Sequence, residues 1–102
     1  MDFEIEQDIL IIRLPKEIDH HNCGPIKEGA DNILLQQNIR EIVFDFSQTD
    51  FMDSSGIGVL VGRYKNISCF GGVVSAIYLS KRIRKIFAMS GLDNIIRIYE
   101  VD

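Results

Sequence analysis

Ser54 and Ser55 stand between the carboxylate of Asp53 and the small Gly56, in the run Phe51-Met52-Asp53-Ser54-Ser55-Gly56-Ile57-Gly58. An apolar stretch, Glu41-Ile42-Val43-Phe44-Asp45-Phe46, precedes the run, and a second apolar stretch grows out of it. The pattern is that of a buried strand handing over to a glycine-rich helix. A helix start offers unpaired backbone N–H groups and the positive end of the helix dipole. A hydroxyl placed there can cap the helix, attack a substrate or accept a phosphoryl group. Either serine suits the capping role, worth about 1 kcal/mol.

Capping does not account for two serines, a preceding acid and glycines that leave the surface open to another protein. A phosphate on Ser54 would add about −1.5 to −2 charges at neutral pH. A helix start tolerates that charge, whereas a docked protein would have to desolvate it. Each 1.4 kcal/mol so lost weakens binding about tenfold. Such a switch needs no change of fold.

Other chemistries fit less well. A hydrolase could use Ser54 as nucleophile, His20 or His21 as base and Asp19 as orienter. The elbow pattern Gly-x-Ser-x-Gly is absent, and no Gly-rich strip suggests an oxyanion loop. His20 and His21 are adjacent, so their side chains are expected to diverge, and no His or Cys spacing supports a metal. The glycines at 56, 58 and 62 match neither the phosphate-loop nor the dinucleotide fingerprint, so no cofactor is expected. Lys81, Arg82, Arg84 and Lys85 form a basic cluster, either a solvated helix face or a docking patch for an acidic surface.

The elements that must position these residues follow from periodicity. Phe3-Glu4-Ile5 alternates, Gln7-Asp8 turns, and Ile9 to Leu14 reads as a strand. A polar loop, residues 19–24, leads to a helix with Pro25 in its first turn and Ile26, Ala30, Ile33 and Leu34 on one face. Glu41 to Phe46 is a strand apolar enough to be buried on both faces. A helix runs from Ser54 to about Ile67, where Gly56, Gly58 and Gly62 each cost about 1 kcal/mol unless packing close to the sheet compensates. Gly72 to Tyr78 is a strand. Ser80 caps a helix with Ile83, Ile86 and Phe87 inward, stopped by Gly91. Ile95 to Tyr99 is the last strand. The order β-β-α-β-α-β-α-β predicts an α/β domain over 1–102, with a mixed, mostly parallel sheet and crossover helices.

With 102 residues and a formal net charge of −4, the chain suits one soluble domain and argues against nucleic-acid binding. No apolar run approaches the roughly 18 residues of a membrane span, and the start is acidic rather than signal-like, so a cytoplasmic location is expected. Cys23 and Cys69 read as buried free thiols.

The segment Phe51 to Lys65, with Met-Asp-Ser-Ser-Gly followed by Gly-Arg-Tyr-Lys, resembles the STAS-domain anti-sigma factor antagonists, and among them the sporulation branch that serves sigma F. Glu17-Ile18-Asp19-His20-His21, Gly71-Gly72 and Phe87-Ala88-Met89-Ser90-Gly91-Leu92 agree in order and spacing, so the resemblance spans the chain. It implies a partner switch and not an enzyme. The unphosphorylated antagonist binds an anti-sigma factor that is also a serine kinase, and so frees the sigma factor. The kinase, using its own ATP, phosphorylates the residue matching Ser54, and a PP2C-type phosphatase reverses this. Asp19, His20 and His21 match a kinase-contacting loop; Asp53, Ser55 and Gly56 complete the switch segment. Asn22-Cys23-Gly24-Pro25 and Ser80-Lys81-Arg82 depart from the family pattern, which also continues into a further helix where this sequence ends. A STAS module of a stress pathway, a small serine hydrolase and a ligand-binding module are the alternative readings.

Overall fold

The alternation of Phe3-Glu4-Ile5 and the β-branched run after Asp8 fold into an antiparallel hairpin, with Gln7 turning the chain at φ 57°. The computed structural model describes residues 1–101. Its elements in chain order are strands β1 (Asp2–Glu6), β2 (Ile9–Arg13) and β3 (Glu17–Ile18), helix α1 (Cys23–Gln36), strands β4 (Glu41–Asp45) and β5 (Phe51–Met52), helix α2 (Ser54–Ser68), strand β6 (Val73–Ile77), helix α3 (Lys81–Ser90), a 3-10 turn (Leu92–Asn94) and strand β7 (Arg97–Tyr99). The main sheet has the order β1-β2-β4-β6-β7, parallel except for β1. The expected α/β class, with a mixed and mostly parallel sheet, is the one found.

Period-two patterning sets the buried face. Leu10, Ile12, Ile42, Phe44, Val74 and Ala76 point into one core with Ile26 and Ala30 of α1, Leu60 and Ile67 of α2, and Ile83 and Phe87 of α3. The opposite face of β4 is more open than expected, with Glu41 and Val43 half-buried. Asp31 joins the first two helices: its Oδ1 forms an ion pair with Arg63 Nε at 3.1 Å and accepts a hydrogen bond from Asn66 Nδ2 at 3.3 Å. Among the described residues no helix is long and apolar enough to cross a membrane.

Several boundaries depart from the sequence reading. The last strand begins at Arg97, because Ile95 and Ile96 close the 3-10 turn with hydrogen bonds to Leu92 O. Neither cysteine is fully buried: Cys69 is exposed and Cys23 half-buried, both free. The strand before the serines is also not β4. Between Asp45 and Ser54 the chain makes the short strand β5, which pairs in parallel with β3 in a second, two-stranded sheet.

That pair explains one glycine of α2 but not the others. A Cβ on Gly56 would lie 2.9 Å from Ile18 O, 3.0 Å from Ile18 Cγ2 and 3.0 Å from Met52 Cβ, while Gly58 and Gly62 face open space. Close packing therefore compensates the helix cost at Gly56 alone. Gly56→Ala is expected to destabilise the protein by about 1–3 kcal/mol through overpacking against backbone. Gly58→Ala and Gly62→Ala are each expected to stabilise it by about 1 kcal/mol. Urea unfolding of the three variants checks the opposite signs.

Candidate functional site

The start of α2 is built around Asp53. It is extended (φ −96°, ψ −170°), and its Oδ1 accepts the backbone N–H of Ser55 at 2.8 Å and of Gly56 at 3.2 Å. Asp53 is thus the N-cap that the sequence reading gave to Ser54 or Ser55. A carboxylate is a stronger acceptor there than a hydroxyl and also meets the helix dipole. Ser54 becomes the first helical residue, exposed, with its hydroxyl outside the cap; Ser55 is half-buried and Gly56 buried.

A ladder between distant segments fixes the other half. Thr49 Oγ1 donates to Pro15 O at 2.7 Å, Asp50 N to Lys16 O at 2.9 Å, and Asp53 N to Ile18 O at 3.1 Å. The β3–β5 register sets Ile18 opposite Met52, so the loop after Ile18 emerges beside the residue before Ser54. Within that loop Asp19 Oδ1 accepts the backbone N–H of His21 (2.9 Å) and Asn22 (3.2 Å). Asn22 answers by accepting Asp19 N–H at 2.9 Å and donating to Glu17 O at 2.6 Å. Asn22 is a positioning residue that the sequence reading missed, although an Asx-rich loop is the usual signal for such bracing.

The loop holds His20 with Nδ1 at 3.8 Å from Asp53 Oδ2, its side chain 69% exposed. His20 and His21 do not diverge; their ring centroids lie 3.9 Å apart, tilted by 38°. Asp19 braces backbone amides instead of orienting a histidine base. Burial pushes the Asp53 carboxyl up, but donation from the Gly56 and Ser55 N–H groups, together with His20, holds it on balance below its ordinary value. Arg82 of α3 lies over the Phe51 ring, 5.5 Å from its centroid, so one member of the basic cluster reaches the edge of the site. Arg84 instead pairs with Glu100, while Lys81 and Lys85 are exposed. Sequence separation hid the Phe51–Arg82 contact. Asp19, His20, His21, Asp53, Ser54, Ser55 and Gly56 all gather at this one end of the sheet.

Two cavities lie away from these residues. One cavity of about 710 Å³ opens between the C-terminal halves of α1 and α2, lined by Leu34, Leu35, Ile39 and Phe70 among others. Another of about 480 Å³ lies by the loops after β4 and β6. Ser54 and His20 line neither.

The STAS domain model matches residues 1–101. This chain belongs to the STAS-domain family. It is similar to the anti-sigma F factor antagonist of Paenibacillus polymyxa, with 34% identity over 100 residues, 98% of this chain and 86% of that relative. The STAS chain also overlays the solved anti-sigma factor antagonist SpoIIAA in its unphosphorylated form, with a TM-score of 0.85 and 29% identity over 96% of this chain and 86% of that one. The phosphorylated form of the Bacillus cell fate determinant SpoIIAA gives 0.77 at 29% identity, covering 96% and 89%.

The depressed Asp53 carboxyl links stability to pH. A carboxyl titrating lower in the folded than in the unfolded chain adds stability above the unfolded value of about 3.9, and this is lost as pH falls through the folded value. Asp53→Asn, which keeps a capping side chain, is expected to flatten the fall in urea midpoint between about pH 5 and about pH 2. Parallel acid-limb slopes for the two proteins would show that Asp53 does not contribute to it.

Proposed function

We propose that this chain is an anti-sigma factor antagonist switched at Ser54, acting as one STAS domain over residues 1–102 in the cytoplasm. Unphosphorylated, it docks through Asp19, His20, His21, Asp53, Ser54, Ser55 and Gly56 onto an anti-sigma factor that is also a serine kinase, and so frees the sigma factor, sigma F of a sporulation programme. The observation that carries this reading is the exposed Ser54, the first residue of α2, whose hydroxyl is left out of the cap because Asp53 fills it. The likeness to a relative named for antagonism of an anti-sigma F factor supports the choice of partner.

The switching step is a phosphoryl transfer from the partner's ATP. The bond from the γ-phosphorus to the β–γ bridging oxygen breaks and a bond to Ser54 Oγ forms. ADP leaves, and the hydroxyl proton passes to a base of the kinase. The product carries a phosphate next to the Asp53 carboxylate, in a surface that had presented a neutral hydroxyl. Re-docking would require desolvating both charges, which complexes tolerate poorly without a matching cation. A PP2C-type phosphatase removes the phosphate by hydrolysis and resets the surface. Solved relatives in both states overlay this fold, in keeping with a switch of charge rather than of shape.

Incubation with the cognate anti-sigma kinase and ATP is expected to place phosphate on Ser54, mapped by mass spectrometry. Ser80 and Ser90 are expected to stay bare, since Ser80 Oγ accepts the Ile83 N–H at 3.1 Å and Ser90 Oγ donates to Ile86 O at 2.6 Å. By calorimetry, Ser54→Ala is expected to retain tight binding and Ser54→Asp to lose tenfold or more, about 1.4 kcal/mol. Equal affinities for the two variants, or phosphate found elsewhere, would refute the reading. Labelling of Ser54 by an activity-based serine probe would favour a hydrolase instead.

A further inference from the structure

The turn that ends α2 holds a phenylalanine out into water. Phe70 N–H and Gly72 N–H donate to Ile67 O at 3.1 and 3.0 Å, and Gly71 N–H donates to Ser68 O at 3.0 Å, so the backbone there is braced. Phe70 is nevertheless 86% exposed, and Leu35, in the last turn of α1, is 85% exposed. Both stand at the mouth of the cavity of about 710 Å³ between these helix ends, whose wall includes Leu34 and the buried Ile39 and Ile67. Single exposed apolar residues are ordinary, but two beside one apolar hollow make a continuous patch of the kind that marks an interface.

We propose that this groove is where two copies of the chain meet, with Phe70 and Leu35 of each copy entering the hollow of the other. A knob and a hollow on one face are self-complementary under a twofold axis, which repeats every contact in reverse. Charge favours the same occupant. Lys65 lines the groove, is exposed and forms no ion pair among the described residues. The carbonyl end of α1 opens on that groove beside Gln37 and Asn38, and α1 has no basic residue in its last turn. A helix C-terminus favours a cation. Lys65 of one copy therefore supplies to α1 of the other what that helix lacks, and the twofold makes the exchange mutual. Asp31 adds a carboxylate to the same wall, fixed in place by Arg63 and Asn66.

The docking is independent of the switch. The groove sits at the C-terminal end of α2 and Ser54 at its start, so about 20 Å of helix separates them. A dimer so formed leaves both Ser54 surfaces open and offers two of them at once. The pairing stands or falls apart from the reading of Ser54.

Sedimentation equilibrium on the full chain, from micromolar to near-millimolar concentration, tests the pairing. The native chain is expected to show a monomer–dimer equilibrium. Phe70→Glu and Leu35→Glu, both at exposed positions, are each expected to weaken the dimer roughly thirtyfold or more, as loss of a central apolar anchor does. Lys65→Glu is expected to weaken it about tenfold, by setting like charge against Asp31 and the carbonyl end of α1. Met89→Glu puts the same charge on an exposed apolar position of α3 and is expected to leave the dimer unchanged. Backbone amide spectra check that each variant is folded. A native chain that stays monomeric throughout, or a dimer that Phe70→Glu and Leu35→Glu leave intact, would overturn the proposal. A monomer whose Leu35 and Phe70 amide resonances move on addition of decanoate would overturn it too, assigning the hollow to an apolar small molecule.

Discussion

The carbonyl of Ile18 is the point on which the candidate site turns. It accepts the N–H of Asp53 at 3.1 Å, and a Cβ on Gly56 would come within 2.9 Å of it. This hydrogen bond and this close approach bring two segments far apart in the chain to one edge of the domain. The three preceding contacts from Thr49, Asp50 and the β3–β5 pair make the approach cooperative: each fixes backbone that the next one uses. A two-stranded sheet of two residues per strand would not persist alone in water, since a lone hairpin is already marginal. Here it is held because Ile18 and Met52 are buried in the main core.

From that constraint follows a division of labour within four residues. Met52 anchors, Asp53 caps, Ser54 is presented, and Gly56 admits the neighbouring strand. Using a carboxylate as the cap releases the hydroxyl of Ser54 from structural duty. Charge added to that hydroxyl then need not disturb the helix start, which already carries a negative group satisfied by two amides. The open side of α2 at Gly58 and Gly62 is a different matter, since these glycines meet nothing within the domain and carry a helix cost that its own packing does not offset. A flat helix surface running away from Ser54 suits close approach by another protein.

Charge on this molecule is local rather than global. A formal net charge of −4 says little about docking, because the basic residues of α3 are dispersed among different partners: Arg84 to Glu100, Arg82 to Phe51. Around Ser54 the balance is set by Asp53 and Asp19, each holding two backbone N–H groups, and by the paired imidazoles beside them. Screening by salt acts weakly on groups this close, within a few ångströms compared with a Debye length near 8 Å.

Hydrophobic periodicity and turn chemistry are local properties, and they determined the five strands of the main sheet and the three helices as separate elements, the Ser80 cap, the Gly91 stop and the importance of the Asp53–Gly56 segment. Each of these is decided by residues within a turn or two of one another. The tertiary structure alone decided that Asp53 is the cap in place of a serine, because the choice depends on Ile18 O holding the Asp53 backbone extended. It alone decided that β5 exists, since Phe51-Met52 is too short to announce a strand and pairs only because Glu17-Ile18 is delivered beside it. It turned His20 toward Asp53 and stacked it with His21, against the expectation for adjacent residues in an extended chain, because the Asp19–Asn22 bracing curls the loop. Contacts between segments far apart in the chain carry no periodicity, and so these were the features left for the folded molecule to set.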